Sequence, residues 1–285
     1  MLSVLIPAKN EIGNISDCIK SASFADEIIV VDSRSTDGTQ EAAKLLGAKV
    51  IDFEWTGHYP KKKNWALTNI KWKNDWILIV DADERITPEL AAEITEAIRS
   101  DKYEGYYLNR KFMFMGHWLR HCGYYPSWNL RLFKHKLGRY EKLDVSVDTR
   151  SGDNEVHEHL LLNGKAGHLK SDMLHYAYPT IDVWIEKHNR YSNWEACVAE
   201  ELLSGEQEEK LIPDPFGNAL ERRRWLRRIS KRLPFRPTLR FLYHYVAKQG
   251  FRDGYRGWVF CRLLAWYEFV SIAKYRERRI KSGNK

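Results

Sequence analysis

The 285-residue chain lacks any run of about 18 uninterrupted apolar residues, the length a helix needs to cross a bilayer, so it is not expected to span one. It is also poor in cysteine. Cys18, Cys122, Cys197 and Cys261 are scattered, none lies in a C-x-x-C pair, and no secretory signal precedes SVLIPAKNE. Such spacing provides no disulfide framework, and reduced thiols in a cytosolic compartment are the expectation. There is no internal repeat and no low-complexity tract. A glycine-rich turn is missing after the first strand, which runs into PAKNEIGN. That argues against a dinucleotide-binding domain built on such a turn.

Aromatic side chains, by contrast, are plentiful: 13% of the chain, with 11 Trp. They suit sugar-stacking surfaces, interfaces and membrane–water boundaries, and a Trp-rich core would use them equally well. Hydrophobic residues make up 44%, enough for a sizeable core. The length fits one large domain or one domain with an appendage. The net charge of +8 is unevenly placed. Residues 220–285 hold 19 Lys/Arg against 4 Asp/Glu, a net of +15, and residues 1–219 hold 27 against 34, a net of −7. A basic tail region on an acidic body points to a polyanionic partner, nucleic acid or an anionic membrane.

The first hundred residues alternate strand and helix signals. LSVLIP, EIIVVD, AKVIDF and WILIVD read as strands. NISDCIKSASF, TDGTQEAAKLLG, YPKKKNWALTNI and TPELAAEITEAIRS read as helices, with Gly47 closing the second and Thr87 capping the last ahead of Pro88. Alternation predicts a parallel sheet covered on both faces, with ligands beyond the carboxyl ends of its strands. Residues 103–178 change to antiparallel signals in YEGYYLNRKFMF, SWNLRLFKH and LDVSVDT. TIDVWIEKHNRYSNWEACVAEELLSG reads as a long helix, and the chain after LIPDPFGN as helical, basic and aromatic, ending in a helix over about 254–278.

The fourth strand ends in DADE, where Asp81, Asp83 and Glu84 fall within four positions. Like charges so close repel unless a cation joins them. Paired carboxylates suit the hard ions Mg²⁺ or Mn²⁺, which also take phosphate oxygens. The bland alternative is a solvated loop. A phosphatase with its nucleophile in D-x-D-x-[TV] would need Thr or Val where Arg85 stands. His157-x-His159 and the pair His117 and His121 have no matching Cys or His cluster at zinc spacing.

SVLIPAKNE, IIVVDSRSTDGT, KKKNWAL and ILIVDADE, in that order over about 85 residues, resemble the motifs of family 2 glycosyltransferases. DADE and EVHEHLLLNG, and more loosely GFRDGYRGWVFCRLLAWYEFV, are most similar to those of lipopolysaccharide-core β-glucosyltransferases. The resemblance implies an α/β GT-A nucleotide-sugar-binding fold with a mostly parallel central sheet and a C-terminal helical extension. Residues 1–178 would form the catalytic domain, with 1–100 its nucleotide-binding half and 101–178 its acceptor-side half, and 179–285 the basic, aromatic extension. By resemblance, Pro7 and Glu11 would line the nucleoside pocket, and Asp32 would accept a hydrogen bond from the base. Lys63 and Asn64 would face the nucleotide or diphosphate, Asp81 would lie near the ribose, and Asp83 would bind Mg²⁺ or Mn²⁺. Lys63 stands where the family often has Arg, which keeps the charge and loses a bidentate phosphate contact. Lys61 and Lys62 read as well as an exposed helix face. Glu158 takes the place of the general base, with Glu155 and Asp153 as neighbours. His175 is either a further metal ligand or a core histidine. Arg131 is a candidate for contact with diphosphate or acceptor, and Trp128 for stacking on a sugar ring.

The implied reaction moves a hexose from a nucleotide-sugar, UDP-glucose or similar, to a glycolipid or polysaccharide precursor, as in lipopolysaccharide and cell-envelope synthesis, with inversion to a β-glycoside. The place would be cytoplasmic, peripheral on the inner face of the cell membrane and held by anionic lipid, with no nucleic-acid partner. In the final helix, Trp258, Arg262, Trp266, Phe269 and Ala273 share one helical spacing, which suits lying on a membrane or packing on the catalytic domain. The competing expectation is a nucleic-acid- or membrane-binding protein without transferase activity.

Overall fold

A computed structural model describes residues 1–142, 159–204 and 233–283. The strand expected in LDVSVDT lies outside the described residues. Two compact units make up the chain: Met1–Trp118 with Tyr124–Ala177, and Leu119–Gly123 with Tyr178–Lys285.

The first unit opens with β1 (Leu2–Ala8), α1 (Ile12–Ser21), β2 (Glu27–Asp32), α2 (Thr39–Leu45), β3 (Lys49–Asp52), α3 (Lys62–Asn69) and β4 (Trp76–Ile79). There follow β5 (Glu84–Arg85), α4 (Pro88–Ser100), β6 (Gly105–Phe114), β7 (His117–Trp118), β8 (Trp128–Lys134) and β9 (Gly138–Tyr140), then β10 (Leu160–Leu162) and β11 (Ala166–Tyr178). The main sheet runs β3-β2-β1-β4-β8-β6-β11-β5, with β7 on β6, and β9 and β10 form a separate pair. As the alternation predicts, β1 pairs parallel with β2 and β4, and β2 with β3. From β8 onward the partners turn antiparallel, β8 to both β4 and β6, and β5 to β11.

Both faces are covered because the buried strands send alternate residues to opposite sides. Val4, Ile6, Leu78 and Val80 join one core with Ile15 and Ile19 of α1 and Leu90 and Ile94 of α4. Leu5, Ile77 and Ile79 join the other with Ala66 and Leu67 of α3 and Phe53. Shortening any of these buried leucines or isoleucines to alanine costs about 2–5 kcal/mol. Thr87 caps α4 as expected, its hydroxyl accepting from the Leu90 N–H at 3.2 Å. Gly47 follows α2 at φ +82°, the left-handed conformation that glycine adopts without strain.

The second unit contains α5 (Ile181–Ser204), α6 (Arg236–Leu242) and α7 (Gly254–Lys281), with a π turn at Tyr243–Ala247 and a 3₁₀ turn at Gly250–Asp253. Helix α7 packs on α5 and α6. Trp184 stacks on His188 at 3.6 Å and tilts against Trp266 at 6.1 Å. Glu268, buried on α7, pairs with Arg236 and Arg240 of α6. Asp253, also buried, accepts from the backbone N–H of Arg120 and of His121 and pairs with His121 Nδ1 at 2.9 Å.

Candidate active site

In the order β2-β1-β4 the chain runs outward from β1 in both directions. The crevice beyond β1 and β4 is therefore a topological switch point, the place where open α/β sheets take ligands. Three stretches meet this edge: residues 9–12 after β1, the loop 33–38 after β2, and the acid turn 81–84 after β4.

Pro7 lies buried in β1, paired with Val31. The two following turns are laced together. Glu11 N–H donates to Thr39 Oγ1 at 2.8 Å, Asn10 N–H to Ser35 Oγ at 2.7 Å, and Thr36 N–H to Asn10 Oδ1 at 2.9 Å. The Glu11 carboxylate holds Asn14 Nδ2 at 2.8 Å. Asp32 is fully buried and accepts from Ser35 N–H at 2.7 Å, Ser35 Oγ at 2.5 Å and Gln40 Nε2 at 2.8 Å. A carboxylate has about four acceptor positions, and Asp32 spends most of them on shaping its own loop.

The acid turn is neutralised from inside the protein. Asp81 Oδ2 lies 2.6 Å from Arg131 Nη2 and its Oδ1 3.0 Å from Lys63 Nζ. The same Arg131 nitrogen reaches Glu84 Oε1 at 3.1 Å, which Arg110 also approaches at 3.3 Å. Glu84 Oε2 accepts the Asp81 N–H at 2.8 Å and closes the turn. Burial opposes the charge on Asp81, but Arg131 and then Lys63 overcome it and hold the carboxyl well below its ordinary range. Burial also opposes the charge on Arg131, and there Asp81 and Glu84 prevail, so the guanidinium is held charged still more firmly than usual. Arg131 Nη1 is buried and has no hydrogen-bond partner among the described residues.

Asp83 points elsewhere. Its Oδ1 lies 3.5 Å from His175 Nε2, and its carbonyl accepts the Tyr176 N–H at 2.8 Å. His175 comes from β11, where it pairs with Glu84 of β5 and sits edge-on to Phe112 at 5.8 Å. Both side chains are partly exposed. An oxygen and an imidazole nitrogen at this separation can reach one divalent ion, and the mixed set fits Mn²⁺ better than Mg²⁺, which favours oxygen alone. No three His, Cys, Asp or Glu side chains converge among the described residues, so most of an ion's remaining ligands would have to come from a bound molecule or water.

The structure places other expected residues differently. Asn64 is buried and spans to β9, its Nδ2 donating to the Tyr140 carbonyl at 2.8 Å and its Oδ1 accepting the Tyr140 N–H at 2.9 Å. Lys62 is no exposed helix residue: it is buried, and its Nζ donates to the carbonyl of Ala8, the last residue of β1, at 2.8 Å. Trp128 is exposed at the start of β8, edge-on to His168 at 4.9 Å. Glu158, Glu155 and Asp153 lie outside the described residues. Sequence reasoning did not foresee the contact of Lys62 with the Ala8 carbonyl, or Arg110 as a partner of Glu84. Lys62 is buried and Arg110 partly so, their partners are distant in the chain, and neither has a local signal.

Similarity to known proteins extends over nearly the whole chain. The sequence profile described as Glycosyl transferase family 2 matches residues 3–152. An uncharacterised glycosyltransferase of Rickettsia typhi is 30% identical, over 99% of this chain and 89% of its own. The lipopolysaccharide core biosynthesis glycosyltransferase LpsC of Rhizobium meliloti is also 30% identical, over 97% of this chain and 92% of its own. Among solved structures, S. aureus TarS 1-349 is 15% identical with a TM-score of 0.44, covering 99% of this chain and 91% of that one.

Proposed function

The chain belongs to glycosyl transferase family 2, and from that premise we propose that it is an inverting, metal-dependent hexosyltransferase. It would move a hexose from a nucleotide-sugar, UDP-glucose or similar, to a hydroxyl of a glycolipid or polysaccharide precursor, forming a β-glycoside. The observation that carries the reading is the acid turn at the switch point, where Asp81 and Glu84 are neutralised by internal cations while Asp83 faces His175. The name of the Rhizobium meliloti relative supports a lipopolysaccharide-type acceptor.

In this reading the nucleoside lies over Pro7, Glu11 and Asp32, with Asp81 near the ribose. The pairing of Asp81 with Lys63 and Arg131 keeps the turn in one shape, so Asp83 is presented without reorganisation, the arrangement that favours electrostatic catalysis. Asp83 and His175 would hold Mn²⁺, whose chemistry is to neutralise the diphosphate and make it a better leaving group. Glu158 takes the proton of the acceptor hydroxyl. The freed oxygen bonds to the anomeric carbon from the face opposite the nucleotide, the bond from that carbon to the diphosphate oxygen breaks, and the configuration inverts. Trp128 offers an exposed ring to a sugar.

A panel of nucleotide-sugars with Mn²⁺ or with EDTA tests the reading. One donor should be hydrolysed or transferred with Mn²⁺ and spared with EDTA. Asp83→Ala should abolish turnover, and its affinity for UDP should no longer respond to metal. Equal UDP affinity with and without metal in the unaltered protein would remove the role given to Asp83.

A further inference from the structure

We propose that α6, the two short turns after it and the first half of α7 form one docking surface for anionic lipid. This goes beyond the transfer reaction and holds whichever sugar is moved. The helices expose apolar side chains at helical spacing. On the first, Phe235, Leu239, Leu242 and Val246 recur at intervals of four, three and four residues, and all are exposed, Phe235 by 79%. Along the second, Tyr255 and Trp258 do the same, Tyr255 by 70%, and the stripe continues through Arg262 to Trp266 and Phe269, while Phe251 of the preceding 3₁₀ turn is exposed by 51%. A helix buried on all sides would not leave such a stripe in water.

Half-buried rings of the first segment reach the second. Phe241 stacks on Tyr245 at 5.1 Å, Tyr245 meets the edge of Phe251 at 6.2 Å, and Tyr255 stacks on Trp258 at 5.9 Å. The Arg262 guanidinium lies 5.4 Å from the Phe241 ring and 5.7 Å from that of Trp258, so one cation bridges the helices. The two segments are thus tied together at Phe241, Tyr245 and Arg262.

Its charge identifies the occupant. Between Leu233 and Tyr267 there are six Lys or Arg and a single acid, Asp253, which is buried against His121. Arg236 and Arg240 face Glu268. Lys248, Arg252, Arg256 and Arg262 are exposed beside the rings. A second copy of the chain would bring the same positive charge to the contact. A nucleic acid would match the charge but would have little use for the aliphatic row Leu239, Leu242 and Val246. An anionic bilayer matches both parts, since Trp and Tyr settle at the headgroup level, aliphatic side chains enter the acyl boundary, and Lys and Arg meet the lipid phosphates. No helix among the described residues is long and apolar enough to cross, so the contact is with the surface.

Co-sedimentation of the full chain with vesicles tests this. It should bind phosphatidylcholine vesicles that contain phosphatidylglycerol, leave pure phosphatidylcholine in solution, and be released as salt rises. Arg252→Glu with Arg256→Glu should weaken binding by about tenfold or more, and Tyr255→Ser with Trp258→Ser should weaken it at low salt, while hydrolysis of a nucleotide-sugar is unchanged in both. Equal binding to neutral and anionic vesicles would overturn the proposal. So would anionic binding that the charge reversal leaves intact, binding to single-stranded DNA as tight as to vesicles, or a dimer that Tyr255→Ser with Trp258→Ser dissociates in a protein that ignores lipid. The comparison of vesicles uses the unaltered protein, so an unfolded variant does not shield the idea. Vesicle binding without turnover would leave this surface standing and count against the transferase reading alone.

Discussion

One guanidinium, that of Arg131, serves two carboxylates, Asp81 and Glu84, where there is little water to share the work. Removing one partner of a buried ion cluster leaves the others uncompensated, at a cost of about 3–5 kcal/mol. Arg131→Met, similar in length, should lower unfolding free energy by that amount in urea titration. A loss below about 1 kcal/mol would mean that Lys63 and Arg110 suffice without it. Glu158→Gln keeps size and removes basicity, and turnover should fall about 10²–10⁴-fold with donor affinity little changed. Near-normal turnover would move the role to Glu155 or Asp153. At this scale the sequence was legible where a motif is short and local: the acid cluster of D-x-D stands just past the end of β4. It did not show which groups Lys62 and His175 would meet, because the partners of an inward-facing side chain are set by folding and not by neighbours in the chain.

Helices and strands were easier to read, because each periodicity is a local property. Residues two apart in β1 and β4 enter the same core, and Ile15 and Ile19, four apart in α1, are buried together with Ala22 just after it. The cap at Thr87 was legible for the same reason, and Thr87→Ala should cost about 0.5–2 kcal/mol, measurable as a lowered midpoint of unfolding. GFRDGYRG at the start of α7 was less legible, since its glycines do different things. Gly254 takes a positive φ of +64°. Gly257 lets the helix approach the 3₁₀ turn so closely that an added methyl would collide with the Gly250 carbonyl and meet Asp253 Cβ at 2.9 Å. Gly257→Ala should destabilise by about 1–3 kcal/mol through overpacking. Limited proteolysis near residue 250 should show whether the turn has been displaced, and an unchanged melting temperature and digest would refute the close approach.

The stability of the whole molecule should respond to acid through His188. Burial favours its neutral form, and Arg240 and Lys187 act the same way against the Trp184 carbonyl, lowering the pKa from 6.5 to about 4. Its Nδ1–H donates to that carbonyl at 2.9 Å. The unfolded chain takes up a proton near 6.5, the folded one only near 4. The contribution is therefore complete above pH 6.5, declines as the pH falls towards 4, and changes no further below, a total of roughly 3 kcal/mol. Urea midpoints should fall over that interval, and His188→Gln should flatten the difference. An identical slope in the variant would assign the effect to other groups. The charge asymmetry was plain from composition, but the assignment of Leu119–Gly123 to the second unit leaves no mark in sequence order.

That short loop sets a schedule. The N–H of His121 binds an aspartate 132 residues further along. At about 5–20 residues per second, the ribosome delivers Asp253 on the order of ten seconds after it has delivered the loop. Until then, the amides of Arg120 and His121 have only water, and the thiol of Cys122, later buried beside Cys261, is open to oxidants. Cys122 is thus vulnerable chiefly while the protein is being made, and a ribosome that stalls before residue 253 would leave it exposed for as long as the stall lasts.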